Sequence, residues 1–172
     1  MKPSVYIRPL ILEDAKISCL WRNDAEIWKY TGFKPDRYIS PEMEEEWLKN
    51  KLINTNEKRF AICLAENDQY IGNIQLLDIT KEEAWYHIFI GEKRLWGQGI
   101  SQKATKLILS YAFSELELEN VLLEVNPLNT AAYMVYEKMG FIPFDANEKN
   151  GFIKMKLSKN EFEVTGINPS VN

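Results

Sequence analysis

The segment Arg94-Leu95-Trp96-Gly97-Gln98-Gly99 lies between a strand-like run and a long amphipathic helical pattern, and no other segment constrains this chain so strongly. Two glycines just before a helix start let backbone N–H groups approach a ligand with no Cβ in the way. The helix N-terminus adds unpaired donors and about half a positive charge. The unit is a phosphate cradle, and it lacks the usual nucleotide signatures. Gln102 stands where G-x-G-x-x-G requires its third glycine, and no Lys-Ser/Thr pair completes a P-loop. A pyrophosphate ligand other than NAD or ATP is implied. The pattern alone proves little, because G-x-G arises by chance about once in a chain of this length, and a helix-entry turn also accounts for it.

The periodicities around this segment define the rest of the fold. Residues 5–10 read as a short strand closed by Pro9. Leu12-Glu13-Asp14 opens a helix with Ile17, Leu20 and Trp21 on one face. Residues 23–39 are aromatic and irregular. Ser40-Pro41-Glu42-Met43-Glu44 is a helix start, with Ser as N-cap, Pro at the first position and carboxylates in the first turn. That accounts for the acidic cluster without a metal. A three-strand meander follows, with turns at 66–69 and 81–83. The helix after the glycines runs from about Gly99 to Leu116 and presents Ile100, Ala104, Leu107, Ile108 and Tyr111 to a sheet. Residues 121–125 form a strand containing Glu124. Asn129 caps a helix that buries Ala132, Val135, Tyr136 and Met139, and Gly140 ends it before two closing strands. The order β-α-α-β-β-β-α-β-α-β-β gives an α/β fold, one mixed sheet with helices on both faces. One domain over residues 1–160 is expected, with a flexible tail at 161–172 rich in Gly, Asn, Pro and Ser.

Composition narrows the partners. Net charge is -4 with no long basic run, which argues against nucleic-acid binding and suits a cationic or neutral partner. Cys19 and Cys63 sit in apolar patterns and read as buried thiols of a reducing compartment. His87 is the single histidine, which rules out a Cys/His zinc site. Pro3, Arg8, Pro9, Glu13 and Asp14 interrupt the first residues, so they read as neither a signal peptide nor a membrane span. The cytoplasm is the expected location.

A second element lies downstream: Asn129-Thr130-Ala131-Ala132-Tyr133-Met134-Val135-Tyr136-Glu137-Lys138-Met139-Gly140-Phe141. An Asn-capped helix with Tyr seven residues on, then Gly-Phe and a strand, placed after an R-x-x-G-x-G helix, resembles the GNAT N-acetyltransferases. The resemblance runs from about Ile7 to Leu157. Ile7-Arg8-Pro9-Leu10, Trp21-Arg22-Asn23-Asp24 and Gly91-Glu92-Lys93 are similar to tracts of the branch containing ribosomal-protein and spermidine acetyltransferases. The resemblance implies a single GNAT domain whose sheet splays between its fourth and fifth strands. It implies acetyl-CoA as co-substrate, no metal, and a homodimer of the kind common in that branch. The pyrophosphate would be held by the backbone amides of Arg94, Leu95, Trp96, Gly97, Gln98, Gly99, Ile100 and Ser101. The strand Ile88-Phe89-Ile90 would pair with the pantetheine arm. Asn129 would contact the same arm, cap its helix, or do both.

The chemistry implied is attack of an amine on a thioester. At pH 7 only about one alkylamine in a thousand is unprotonated, and removing the proton costs roughly 4 to 5 kcal/mol, which a base can offset. The departing thiolate needs only a weak acid. Tyr136 matches the family tyrosine that reaches the cofactor sulfur, although a core role on its helix's apolar face also suits it. Three candidates remain for the base: Glu124, matching a glutamate used by some family members; His87; and a water relay. Here the chain departs from the branch, reading Ala84-Trp85-Tyr86-His87-Ile88 where Ala-Glu-Leu-Gly-Ile is common. The acceptor pocket is expected from residues 23–38 with Trp85, involving Asn23, Trp28, Tyr30 and Phe33, whose rings suit a cation, a nucleobase or a sugar. Four acceptors are compatible: a protein N-terminal amine, a polyamine, an amino sugar, or an antibiotic or other small amine. A non-catalytic coenzyme A-binding module is the alternative.

Overall fold

Alternating apolar residues separated by turns build an antiparallel run of four strands: β1 (Val5–Pro9), β2 (Lys58–Leu64), β3 (Tyr70–Leu77) and β4 (Glu83–Ile90). The computed structural model describes residues 2–33 and 35–165. After β4 come α3 (Ile100–Ser114), β5 (Asn120–Val125), α4 (Thr130–Lys138), β6 (Ile142–Ala146), β7 (Ile153–Ser158) and a terminal α5 (Lys159–Val164). Two further helices, α1 (Ala15–Arg22) and α2 (Pro41–Leu52), lie between β1 and β2. All seven strands form one sheet in the order β1-β2-β3-β4-β5-β7-β6, and the β4–β5 pair is parallel. The element order matches the sequence expectation, with α5 added.

The strand period of two sorts side chains onto two faces. Ile62, Ile74, Tyr86, Val121, Leu123 and Met155 meet α3, α4 and α5 in the main core. Ala61, Cys63 and Tyr70 meet Trp21 and Leu48 of α1 and α2 on the opposite face. Both cysteines are free and buried. Among the described residues no helix is long and apolar enough to cross a membrane.

β4 and β5 pair only at Glu83–Asn120, Ala84–Val121 and Trp85–Leu122. Beyond that rung β4 continues beside β3 alone, while β5 continues beside β7. The sheet therefore opens into a V, as the resemblance implied.

Two local expectations are corrected. The buried face of α1 is Ala15, Ser18, Cys19 and Trp21, whereas Ile17 and Leu20 are exposed. Ser18 is buried because its hydroxyl donates to the Glu44 carboxylate of α2 at 2.8 Å. The expected tail also begins too early. Residues 161–164 belong to α5, whose Ser158 capping box starts it and whose Phe162 packs on Phe113 with ring centroids 5.1 Å apart. Residues 166–172 of that tail lie outside the described residues.

Candidate active site

The glycine segment forms a 3-10 turn, Lys93–Leu95, then the α3 N-terminus. Gly97 and Gly99 have φ of +74° and +78°, the left-handed region that excludes most side chains. A Cβ at Gly97 would meet nothing within 4 Å, so the space above the turn is open. Among the described residues, the N–H groups of Gly97, Gln98, Gly99, Ile100 and Ser101 have no protein acceptor. The amides of Leu95 and Trp96 differ from the expectation. They close the turn on the carbonyls of Glu92 and Lys93 at 2.9 and 3.0 Å. The Trp96 indole donates to the Ile90 carbonyl at 2.9 Å, and the Arg94 guanidinium donates to Gln69 at 2.7 Å, so both side chains brace the loop. Open amides at a positive helix end, next to the unpaired edge of Ile88, Phe89 and Ile90, suit a pyrophosphate joined to an extended, amide-bearing arm.

Tyr136 stands on α4, packed against Tyr86 of β4. Asn129 is the N-cap of that helix, its side-chain oxygen accepting from the Ala132 amide at 3.3 Å. The Tyr136 ring is perpendicular to Tyr86 with centroids 5.9 Å apart, and it also meets Phe141 at 5.9 Å. Burial pushes its phenol well above the usual tyrosine range. Its hydroxyl has no partner among the described residues, yet no sealed side-chain oxygen or nitrogen there lacks one. The hydroxyl is therefore not sealed from solvent. Tyr86, which sequence reasoning did not single out, is fully buried and paired with the Thr105 hydroxyl at 2.8 Å. Its phenol is already engaged.

The opposite face of the sheet carries His87 on β4 and Glu124 on β5, one on each arm of the V. Asn147, from the β6–β7 loop, donates to both Glu124 oxygens at 3.0 and 3.2 Å. Nothing local in the sequence announces that contact, which spans 23 positions. A cavity of about 380 Å³, lined by Asp145, Asn147, Glu148, Lys149 and Lys154, opens beside it. The His87 imidazole is held below its usual pKa by the surrounding protein and by the Arg59 guanidinium, against Glu124 and Asp78. Water reaches the ring, so this is the effect of protein standing around an open cleft, not of enclosure. Arg59 sits in register with Gln75 and His87 across β2, β3 and β4, bound to Glu57 at 2.6 Å and to the Gln75 side chain. Trp85, half-buried, marks the last β4–β5 rung.

The aromatic wall is arranged differently from the expectation. Trp28 and Phe33 meet with centroids 4.9 Å apart, and Trp28 continues onto Phe89 at 4.8 Å. Tyr30 lies apart, under the Lys29 ammonium. The cation inside the wall is the protein's own: the Arg22 guanidinium is 4.2 Å from the Trp47 centroid, 5.3 Å from Phe33 and 5.4 Å from Trp28. Arg22 also binds the buried Glu44 carboxylate at 3.2 Å. Asn23 fastens the loop, donating to Cys19 and Ile39 carbonyls and accepting from the Ile39 amide, each at 2.8 Å. Among the described residues no group of His, Cys, Asp and Glu converges as a metal site would.

Residues 4–142 match the family described as Acetyltransferase (GNAT) domain, and the chain belongs to it. It is a GNAT N-acetyltransferase, with acetyl-CoA as acyl donor. The probable N-acetyltransferase YjcK of Bacillus subtilis is 30% identical over 146 residues, covering 80% of each chain. The spermidine N(1)-acetyltransferase of Escherichia coli K12 is 29% identical over 142 residues, covering 80% of this chain and 73% of the relative. The fold is shared with the spermidine N-acetyltransferase of Vibrio cholerae, solved with CoA and spermine: TM-score 0.82 at 22% identity, covering 92% of this chain and 98% of that one. These comparisons give no support to a non-catalytic module.

Proposed function

We propose that this protein transfers acetyl from acetyl-CoA to a primary amine of a polyamine, by direct attack across the V. One observation carries the reading. His87 and Glu124, each two residues past the last β4–β5 rung, lie on one face of the sheet, and Tyr136, packed on Tyr86 of the other face, has a hydroxyl with no protein partner among the described residues, which suits a base and an acid on either side of a bound thioester. The open amides of Gly97 to Ser101 hold the pyrophosphate, and the free β4 edge pairs with the pantetheine arm.

Acetyl-CoA supplies an activated acyl thioester. Glu124, steadied by Asn147, attracts the incoming ammonium. His87, neutral at pH 7, takes one ammonium proton directly or through a water, and the freed nitrogen attacks the thioester carbon. As the C–N bond forms and the C–S bond breaks, Tyr136 gives its proton to sulfur and regains one from the attacking nitrogen. The sum releases one proton, which leaves through His87. Relatedness to the E. coli spermidine enzyme and a net charge of -4 support a polycationic acceptor.

The test is thiol release from acetyl-CoA with spermidine, a peptide N-terminal amine, a nucleotide-linked amino sugar and a simple alkylamine. The highest kcat/KM is expected for spermidine. Preference for another amine would overturn the acceptor class and leave acyl transfer standing. Turnover with none would overturn the reading.

A further inference from the structure

One lysine joins the two segments that serve the two substrates of the proposed reaction. Lys93 opens the 3-10 turn, and its carbonyl accepts from the Trp96 amide at 3.0 Å, just before the open amides begin. Its ammonium reaches across to the Asp24 and Glu26 carboxylates, at 2.7 Å from each. Asp24 is a hub of the opposite segment. Its Oδ1 accepts from the Glu26 amide at 3.0 Å, its carbonyl accepts from the Ile27 amide at 3.1 Å, and its own amide donates to the Trp21 carbonyl at 3.2 Å. The Trp28 indole donates to that same Trp21 carbonyl at 2.7 Å. A second contact lies one layer below. Gly91 is so close to Trp21 that a Cβ there would come within 2.1 Å of the indole ring. The turn and the 23–33 segment thus meet through a three-membered ionic cluster, and the residues just before them, Gly91 and Trp21, through a packed contact.

We infer that Lys93 is a positioning residue that couples coenzyme binding to the acceptor segment. This rests on the proposed function for the identity of the two sites. Closing the 93–101 backbone around a pyrophosphate fixes the root of the Lys93 side chain. The ammonium then holds Asp24 and Glu26, and through the Trp21 carbonyl the Trp28 indole that flanks the cleft. The converse follows by linkage: an acceptor that orders the segment tightens coenzyme binding by the same factor. The cluster is solvent-exposed, so the coupling weakens as salt screens it.

The test is hydrogen–deuterium exchange of peptides covering residues 24–33, with and without coenzyme A, in the wild type and in Lys93→Gln and Lys93→Arg. In the wild type coenzyme A is expected to slow exchange there by about fivefold or more. Lys93→Gln is expected to lose that response while still binding coenzyme A, and Lys93→Arg to retain it. Kinetically, Lys93→Gln should raise the acceptor KM about tenfold with kcat within about twofold, the split expected when positioning rather than chemistry is lost. Coenzyme A binding with no slowing in the wild type, or with equal slowing in Lys93→Gln, would overturn the inference alone. Failure of the wild type to bind coenzyme A would overturn it together with the proposed function.

Discussion

His87 and Glu124 each lie two residues beyond the Trp85–Leu122 rung, on the same face of the sheet, where β4 and β5 part. Parallel pairing up to that rung sets both side chains at one level, and the splay beyond it leaves a gap between them. The Glu124 charge acts on the imidazole across that gap and raises its pKa, against the stronger lowering from the surrounding protein and Arg59.

A proton acceptor works in its neutral form, and His87 is held below the usual imidazole range. The acid limb of kcat/KM should therefore lie below the pH at which a free imidazole titrates, with activity lost as His87 becomes charged. His87→Gln should abolish that limb and lower kcat/KM about a hundredfold. A pH–rate profile checks both, and an unchanged limb would remove His87 from the base role.

Glu124 raises the His87 pKa, so its loss should move the same limb the other way from a generic damage effect. Glu124→Gln is expected to shift the limb to still lower pH while raising the acceptor KM. A limb that stays in place would mean that the two groups do not communicate.

The Tyr136 phenol is raised by burial and stays protonated throughout the neutral range. No alkaline limb from its ionisation should appear below about pH 10. Tyr136→Phe should lower kcat at least about tenfold, as loss of a general acid requires. Coenzyme A affinity, measured by calorimetry, should change little. Unchanged turnover would discard the role.

The close approach of Gly91 to Trp21 leaves no room for a methyl group. Gly91→Ala should destabilise the fold by about 1–3 kcal/mol, the usual cost of overpacking. Urea unfolding measures it. Stability equal to the wild type would show that Trp21 can shift aside without cost.

Arg22 and Glu44 form an ion pair with side chains only 15% and 4% exposed. Glu44→Ala removes one partner, strands the guanidinium among three rings, and should cost about 3–5 kcal/mol. Glu42→Ala, on the exposed first turn of the same helix, is the control and should cost far less.

Much of the fold was legible because it depends on local pattern. The glycine turn at 97 and 99 before a helix, the caps at Ser40 and Asn129, and the alternating meander are short-range features that appear in the structure where the sequence places them. The α1 face was misread because Ser18 is polar in isolation, and only Glu44, 26 positions away, makes it a buried residue. The aromatic rings, which by residue type suit a cation, a nucleobase or a sugar, likewise gain a partner from distant residues. Nothing in the spacing of Trp28 and Phe33 shows that Arg22 and Trp47 fill and complete the wall.

The amino-acid sequence alone determined the element order, the glycine turn before α3 and the family, because each rests on residues near one another along the chain. Tertiary structure alone decided which side chains come level where β4 and β5 part. His87 and Glu124 do so because two distant strands stay paired for three rungs and then separate. Asn147 reaches Glu124, and Lys93 reaches Asp24 and Glu26, only after the chain has closed. Such contacts depend on register and packing across the whole sheet, and no local window encodes either.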